Sequence, residues 1–145
     1  MGMEHDSCFQ KQQQIVREFG HFNSSEELYH ALINLGKTGS SLSSADKTPE
    51  NRIHGCQSTA FCKTTFKNGK IYFEIEADAL ISAGLGQLIV RIYSGEPPEA
   101  VLQCSPDCFE KIGLSGALSP TRSNGLAQML THCKRAALAC LVGSK

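Results

Sequence analysis

The chain carries no net charge, its 14 lysines and arginines balancing 14 aspartates and glutamates. No dense basic stripe stands out that could track a phosphate backbone, so nucleic acid is not an expected partner. Long hydrophobic runs are missing as well. Nothing approaches the ~20 consecutive apolar residues of a membrane helix, and residues 1–14 are polar, without the apolar stretch of a secretory signal. The expectation is a soluble, cytoplasmic protein with no membrane role. The sequence marks of metals and phosphate cofactors are also absent. There is no Cys-x-x-Cys pair, and the nearest spacing, Cys104 and Cys108, is interrupted by Pro106 and has no second ligand pair for zinc. Gly84-Leu85-Gly86 lacks both the next glycine and the preceding strand of a dinucleotide loop. Neither a metal site nor a cofactor of its own is expected.

Cysteine, in contrast, is plentiful, with 7 in 145 residues. An odd count without a secretory signal argues for reduced thiols rather than a disulfide framework. The length fits one domain spanning residues 1–145, since domains commonly run about 100–150 residues.

Periodicity places the elements. Ile15, Val16, Phe19 and Phe22 recur at helical spacing, with a glutamine-rich side toward water and Gly20 ending or bending the helix. Ser24 and Glu27 have the spacing of a capping box for a second helix, whose stripe is Leu28, Tyr29, Leu32 and Ile33 and whose end falls at Gly36 in a left-handed conformation. Residues 37–50 are serine-rich and aperiodic, a surface loop. Asn68-Gly69 is the dipeptide that best tolerates the two positive φ angles of a type I′ turn. That turn predicts a hairpin register pairing Phe66 with Ile71, Thr64 with Phe73 and Cys62 with Ile75, with a cross-strand Lys63–Glu74 ion pair on the outer face. Asp78 reads as the N-cap of a helix with the apolar stripe Ile81, Leu85, Leu88, Ile89 and Ile92. Gly84 and Gly86 each cost on the order of 1 kcal/mol there against alanine, which predicts a close backbone neighbour. Pro97 and Pro98 open a short helix through Gln103, Ser105-Pro106 opens another ending at Gly113, and Ser119-Pro120 starts the last. Leu126, Met129, Leu130, Cys133, Ala137 and Cys140 form its buried stripe. The result is an α+β domain: a small antiparallel sheet of about three strands with helices packed on one face.

Most cysteines then have plain readings as small apolar residues. Cys62, Cys133 and Cys140 lie on core faces, Cys108 sits on a short helix, Cys104 ends the one before it, and Cys8 is near an exposed terminus. Cys56 lies on a turn between elements, where Gly55 bends the chain and Gln57 and Ser58 supply hydrogen-bonding groups, the kind of place that favours a reactive thiolate.

The run Asn51-Arg52-Ile53-His54-Gly55-Cys56-Gln57-Ser58 resembles the acceptor-cysteine loop of the SufE family, the sulfur-acceptor partners of cysteine desulfurases. Three stretches agree in order: Asp78-Ala79-Leu80-Ile81 leading to Gly84-Leu85, Tyr93-Ser94-Gly95-Glu96-Pro97-Pro98-Glu99, and Leu118-Ser119-Pro120-Thr121-Arg122-Ser123-Asn124-Gly125-Leu126. The similarity covers residues 9–141. It implies a SufE/IscU-like fold and a role for Cys56 as persulfide acceptor, taking sulfur from a SufS-like desulfurase that uses its own pyridoxal phosphate. Cys56 would then pass the sulfur to a SufBCD-like iron–sulfur scaffold, the carrier acting as a monomer or weak homodimer with no independent turnover. It also marks Arg122. As a cation in the first turn of a helix, Arg122 opposes the helix dipole, so the expectation is that its guanidinium faces the cysteine loop or the partner. His54 departs from the family's usual polar residue and is a possible local base. Glu96-Pro97-Pro98 is a second departure, expected only to stiffen a surface turn.

Other classes fit less of the sequence. A thiol oxidoreductase wants a resolving cysteine, and Cys62 is expected to point inward. A zinc or cluster scaffold needs several ligands at the loop, and a cysteine hydrolase needs a histidine better placed than His54. A regulatory module that binds a desulfurase without carrying sulfur would have the same loop.

Overall fold

The computed structural model describes residues 5–39 and 41–143. Residues 1–4 of the polar N-terminal stretch and Ser40 of the serine-rich loop lie outside the described residues. The elements run α1 (Asp6–Phe19), α2 (Ser25–Gly36), a 3-10 turn (Ser44–Asp46), β1 (Ala60–Lys67), β2 (Lys70–Ala77), α3 (Leu80–Tyr93), α4 (Pro98–Gln103), α5 (Cys108–Lys111), α6 (Leu114–Ala117) and α7 (Pro120–Leu141). The four-residue α6 is too short to leave a periodic trace in the sequence.

The hairpin has the expected register throughout, from Phe66 opposite Ile71 to Cys62 opposite Ile75. Asn68 and Gly69 at its tip both have positive φ, 53° and 80°, as a type I′ turn requires. Ile71, Phe73, Ile75 and Cys62 are buried beneath it, whereas Tyr72 and Glu74 on the other face are exposed. α3 and α7 pack on the buried face. The sheet has two strands rather than about three. On either edge a single bridge stands where another strand would: Arg52 against Phe61 and Glu96 against Ile71. Gly95, at φ 86°, and Pro97, which has no N–H to donate, stop the second edge from extending. Lys63 reaches Asp46 at 3.3 Å instead of pairing across the strand with Glu74.

Ser24 accepts the N–H of Glu27 at 3.1 Å, while the Glu27 carboxylate takes the N–H of Asn23 at 2.8 Å, one residue earlier than a standard capping box. Gly36 is the last residue of α2 and not in a left-handed conformation. What it supplies is space. A Cβ on Gly36 would overlap the carbonyl oxygen of Leu80, and a Cβ on Gly84 would overlap the carbonyl oxygen of Leu32, so α2 and α3 meet backbone to backbone. Gly86 is crowded by the Ile75 side chain rather than by backbone.

Asp78 does not cap α3, whose N-cap is Ala79 without a side-chain bond. Its carboxylate accepts the Thr59 N–H at 3.1 Å instead. Glu96 is buried, not at the surface; it is paired with Lys11 at 2.7 Å and accepts a hydrogen bond from the Ser7 hydroxyl at 2.8 Å. Gln12 also turns inward from the expected wet face of α1, donating to the Ser105 carbonyl at 2.8 Å and accepting the Cys108 N–H at 2.9 Å. Cys8 is wholly buried rather than exposed and forms a disulfide with Cys104, 96 residues away. Packing of α1 beside the end of α4 brings the two together, which the cysteine count could not show. Cys56, Cys62, Cys108, Cys133 and Cys140 remain free, Cys140 only half-buried. Among the described residues no helix is long and apolar enough to cross a membrane, and no three His, Cys, Asp or Glu side chains converge as metal ligands.

The helix crossing predicts a contrast between two glycines. Gly84→Ala should destabilise the fold by about 2 kcal/mol or more, because its methyl meets rigid backbone. Gly116→Ala, with nothing near the added carbon, should be neutral or slightly stabilising. Urea unfolding midpoints check both; equal midpoints for the two variants would contradict the crossing.

Candidate functional site around Cys56

Both ends of the cysteine loop are tied to the hairpin. The Ile53 N–H donates to the Ala60 carbonyl at 2.9 Å, and the Cys62 N–H donates to the Asn51 carbonyl at 2.7 Å. Asp78 holds the exit, its N–H donating to the Thr59 carbonyl at 3.0 Å. Between these anchors Gly55 takes φ 80°, a left-handed conformation that glycine adopts without steric cost. Its carbonyl accepts from Asn124 Nδ2 at 3.0 Å, so the start of α7 closes over the loop.

Cys56 is half-buried. A Cβ on Gly125 would stand 3.2 Å from its sulfur, so the missing side chain at 125 makes its seat. The crevice is walled by Cys56, Ser82, Leu85, Arg122, Leu126 and Met129 and has no room for a water molecule.

A chain of hydrogen bonds crosses this crevice. Cys56 Sγ lies 3.6 Å from Ser58 Oγ, the Ser58 hydroxyl donates to Ser82 Oγ at 3.0 Å, and Arg122 Nη1 donates to Ser82 Oγ at 2.9 Å. Arg122 thus stands in the first turn of α7, where its own N–H bonds Ser119 Oγ at 3.2 Å, with its guanidinium turned across to α3. Ser82 is 3% exposed. Sequence reasoning missed it, although a serine among Leu80, Ile81, Ala83 and Leu85 was a signal: a buried hydroxyl needs a partner.

His54 is not part of this crevice. It is exposed and lines a neighbouring groove with Arg52, His132 and Arg135. Burial holds the His132 pKa below the ordinary histidine value, and the charges of His54 and Arg135 lower it further. The other free thiols are in different surroundings. Burial pushes the Cys108 thiol up to about 12, and Cys133 is raised by its hydrogen bond with Cys62 and by burial, so neither ionises readily.

A family model described as "SufE: Fe-S metabolism associated domain" matches residues 13–137. The chain belongs to the SufE family. Membership associates it with iron–sulfur metabolism. A SufE-like protein of Arabidopsis thaliana, named as chloroplastic/mitochondrial, is 34% identical over 129 residues, which are 88% of this chain and 35% of that protein. The chain therefore spans about a third of the length of that relative. An uncharacterised SufE-like protein of Rhizobium etli is also 34% identical, over 86% of this chain and 87% of its own length. The fold is that of a hypothetical protein from Thermus thermophilus solved in solution, with a TM-score of 0.74, 22% identity, and coverage of 92% of this chain and 97% of that one.

In this SufE-family chain the seat of the sulfur is testable through Gly125. Gly125→Ala favours the helix by about 1 kcal/mol but crowds Sγ. We expect unchanged or slightly higher thermal stability and several-fold faster alkylation of Cys56 by iodoacetamide, as the thiol spends more time outside the crevice. An unchanged rate would show that the seat does not restrain it.

Proposed function

We propose that this chain is a sulfur acceptor for a cysteine desulfurase, and that Cys56 carries the sulfur. The observation that supports this best is the run Cys56, Ser58, Ser82, Arg122, which connects one half-buried thiol to one guanidinium through two hydroxyls. As a thiol, Cys56 can donate to Ser58. As a thiolate it must accept, and both serine hydroxyls can rotate so that Arg122 donates to Ser82, Ser82 to Ser58, and Ser58 to the sulfur anion. The cation thereby stabilises a negative sulfur that it does not touch.

The chemistry is displacement at sulfur. The Cys56 thiolate attacks the outer sulfur of the donor's cysteine persulfide; the new S–S bond forms as the donor's S–S bond breaks, and the donor cysteine leaves as thiolate. The proton stays with the transferred sulfur, and no external oxidant or reductant is needed. Pyridoxal phosphate chemistry belongs to the donor enzyme. Cys56 is half-buried, so a protein donor approaches the sulfur from the side left open to solvent. Release to an iron–sulfur scaffold repeats the exchange in the forward direction. His54, turned to the neighbouring groove, takes no part in the transfer step itself.

Incubation with a purified SufS-type desulfurase and cysteine should add the mass of one sulfur atom at Cys56 and not at Cys62, Cys108 or Cys133. Cys56→Ser should abolish both the adduct and any stimulation of the desulfurase, with little change in thermal stability. Stimulation that survives in Cys56→Ser would favour a purely regulatory role. Arg122→Ala should slow sulfur transfer about tenfold or more, equivalent to about 1.4 kcal/mol, and Ser82→Ala should slow it in the same direction. Wild-type transfer rates in both variants would remove the hydroxyl chain from the mechanism.

A further inference from the structure

The groove next to the cysteine loop has a chemistry that sulfur transfer does not use. It is lined on one side by the segment carrying Glu50, Arg52 and His54, on the other by α7 with His132, Arg135 and Ala136, and by Thr64 of β1. Its volume is about 450 Å³, within the range of ligand-binding clefts. Two permanent cations, Arg52 and Arg135, face a single carboxylate, Glu50. Protonation of His54 and His132 would add two more positive charges. In a chain of zero net charge, this is a local concentration of one sign.

We propose that this groove binds a carboxylate-bearing segment of the desulfurase that delivers sulfur to Cys56, an inference that rests on the acceptor reading of Cys56. Position selects the occupant. His54 and Arg52 are two and four residues from the thiol on the same loop, so a protein bringing a persulfide to Cys56 covers the groove at the same time. The anionic side chains of a protein are aspartate and glutamate, and the planar guanidinium of an arginine pairs with a carboxylate through two hydrogen bonds. Arg52 is held with its guanidinium 6.0 Å from the centre of the Phe61 ring, which limits the freedom it loses on binding.

Binding is coupled to protons. The charged groups facing His132 are Arg135 on its own helix and His54, Arg52 and Glu50 across the groove. Burial and the neighbouring positive charges depress its pKa. A carboxylate entering the groove opposes the electrostatic part, so binding is coupled to proton uptake and tightens as the solution is acidified through the histidine range.

The test is calorimetric titration of a purified SufS-type cysteine desulfurase with the intact protein, Arg135→Glu and His132→Asn. Neither variant touches the Cys56 crevice, and matched circular dichroism and melting temperatures confirm that both fold. At low salt Arg135→Glu should weaken binding about tenfold or more, and the difference should shrink at high salt. The intact protein should bind more tightly at about pH 6 than at about pH 8 and take up protons, read from buffers of different ionisation enthalpy; His132→Asn should lose most of both effects. Sulfur uptake at Cys56 from a small persulfide such as glutathione persulfide should be the same in all three. Equal affinities for the desulfurase in all three proteins would overturn the groove. If the variants bind more weakly but Cys56 of the intact protein never gains sulfur, the groove stands and the acceptor reading fails. If the intact protein does not bind the desulfurase, both fall.

Discussion

Because neither Gly36 nor Gly84 carries a side chain, α2 and α3 run with their backbones in direct contact, and the position of α3 determines most of what surrounds it. Gly86, two residues on, receives the Ile75 side chain and seats the hairpin. Ser82, two residues before Gly84, receives the hydroxyl of Ser58 and the guanidinium of Arg122. These three positions span little more than one helical turn, about 6 Å of axis. Any outward shift of α3 at the glycine contact would therefore reach the sheet and the cysteine crevice together. The cost of glycine within a helix is offset by this close approach.

The free thiols differ in what surrounds them. Burial disfavours an anion at Cys108, and the hydrogen bond with Cys62 together with burial disfavours one at Cys133. Cys56 lies beside the Ser58 hydroxyl, whose hydrogen can be turned toward it, and the run through Ser82 ends at the guanidinium of Arg122. Arg122 stands at the positive end of α7, where a cation is locally unfavourable. The hydrogen bond to Ser82 gives that placement a physical reason: from the first turn of α7 the side chain can cross to α3.

What the sequence made legible was local. The hairpin register could be read because a two-residue turn leaves no freedom in the pairing, and the stripes of α3 and α7 because their period is regular. The Cys56 loop and Arg122 were marked by family resemblance and, for Arg122, by a conflict with the helix dipole. Contacts between distant elements were not legible. Asp78 carries the residue type of an N-cap but serves Thr59, 19 residues back. Glu96 and Gln12 are polar residues that turn inward only because Lys11, Ser7 and the chain from Ser105 to Cys108 wait for them. His132 and Arg135 face the cysteine loop across a groove that only the folded chain creates, so no periodicity singled them out.

The bond between Cys8 and Cys104 also changes what a broken chain would be. It encloses α2, the serine-rich loop, the cysteine turn, the hairpin and α3 in one covalent ring, with α7 outside it. A protease that cuts an exposed serine-rich loop of this kind would open the ring without releasing a fragment. The two pieces would stay joined through sulfur and migrate as one molecule until a reductant separated them. Integrity of this protein judged without reductant would therefore count cut chains as whole.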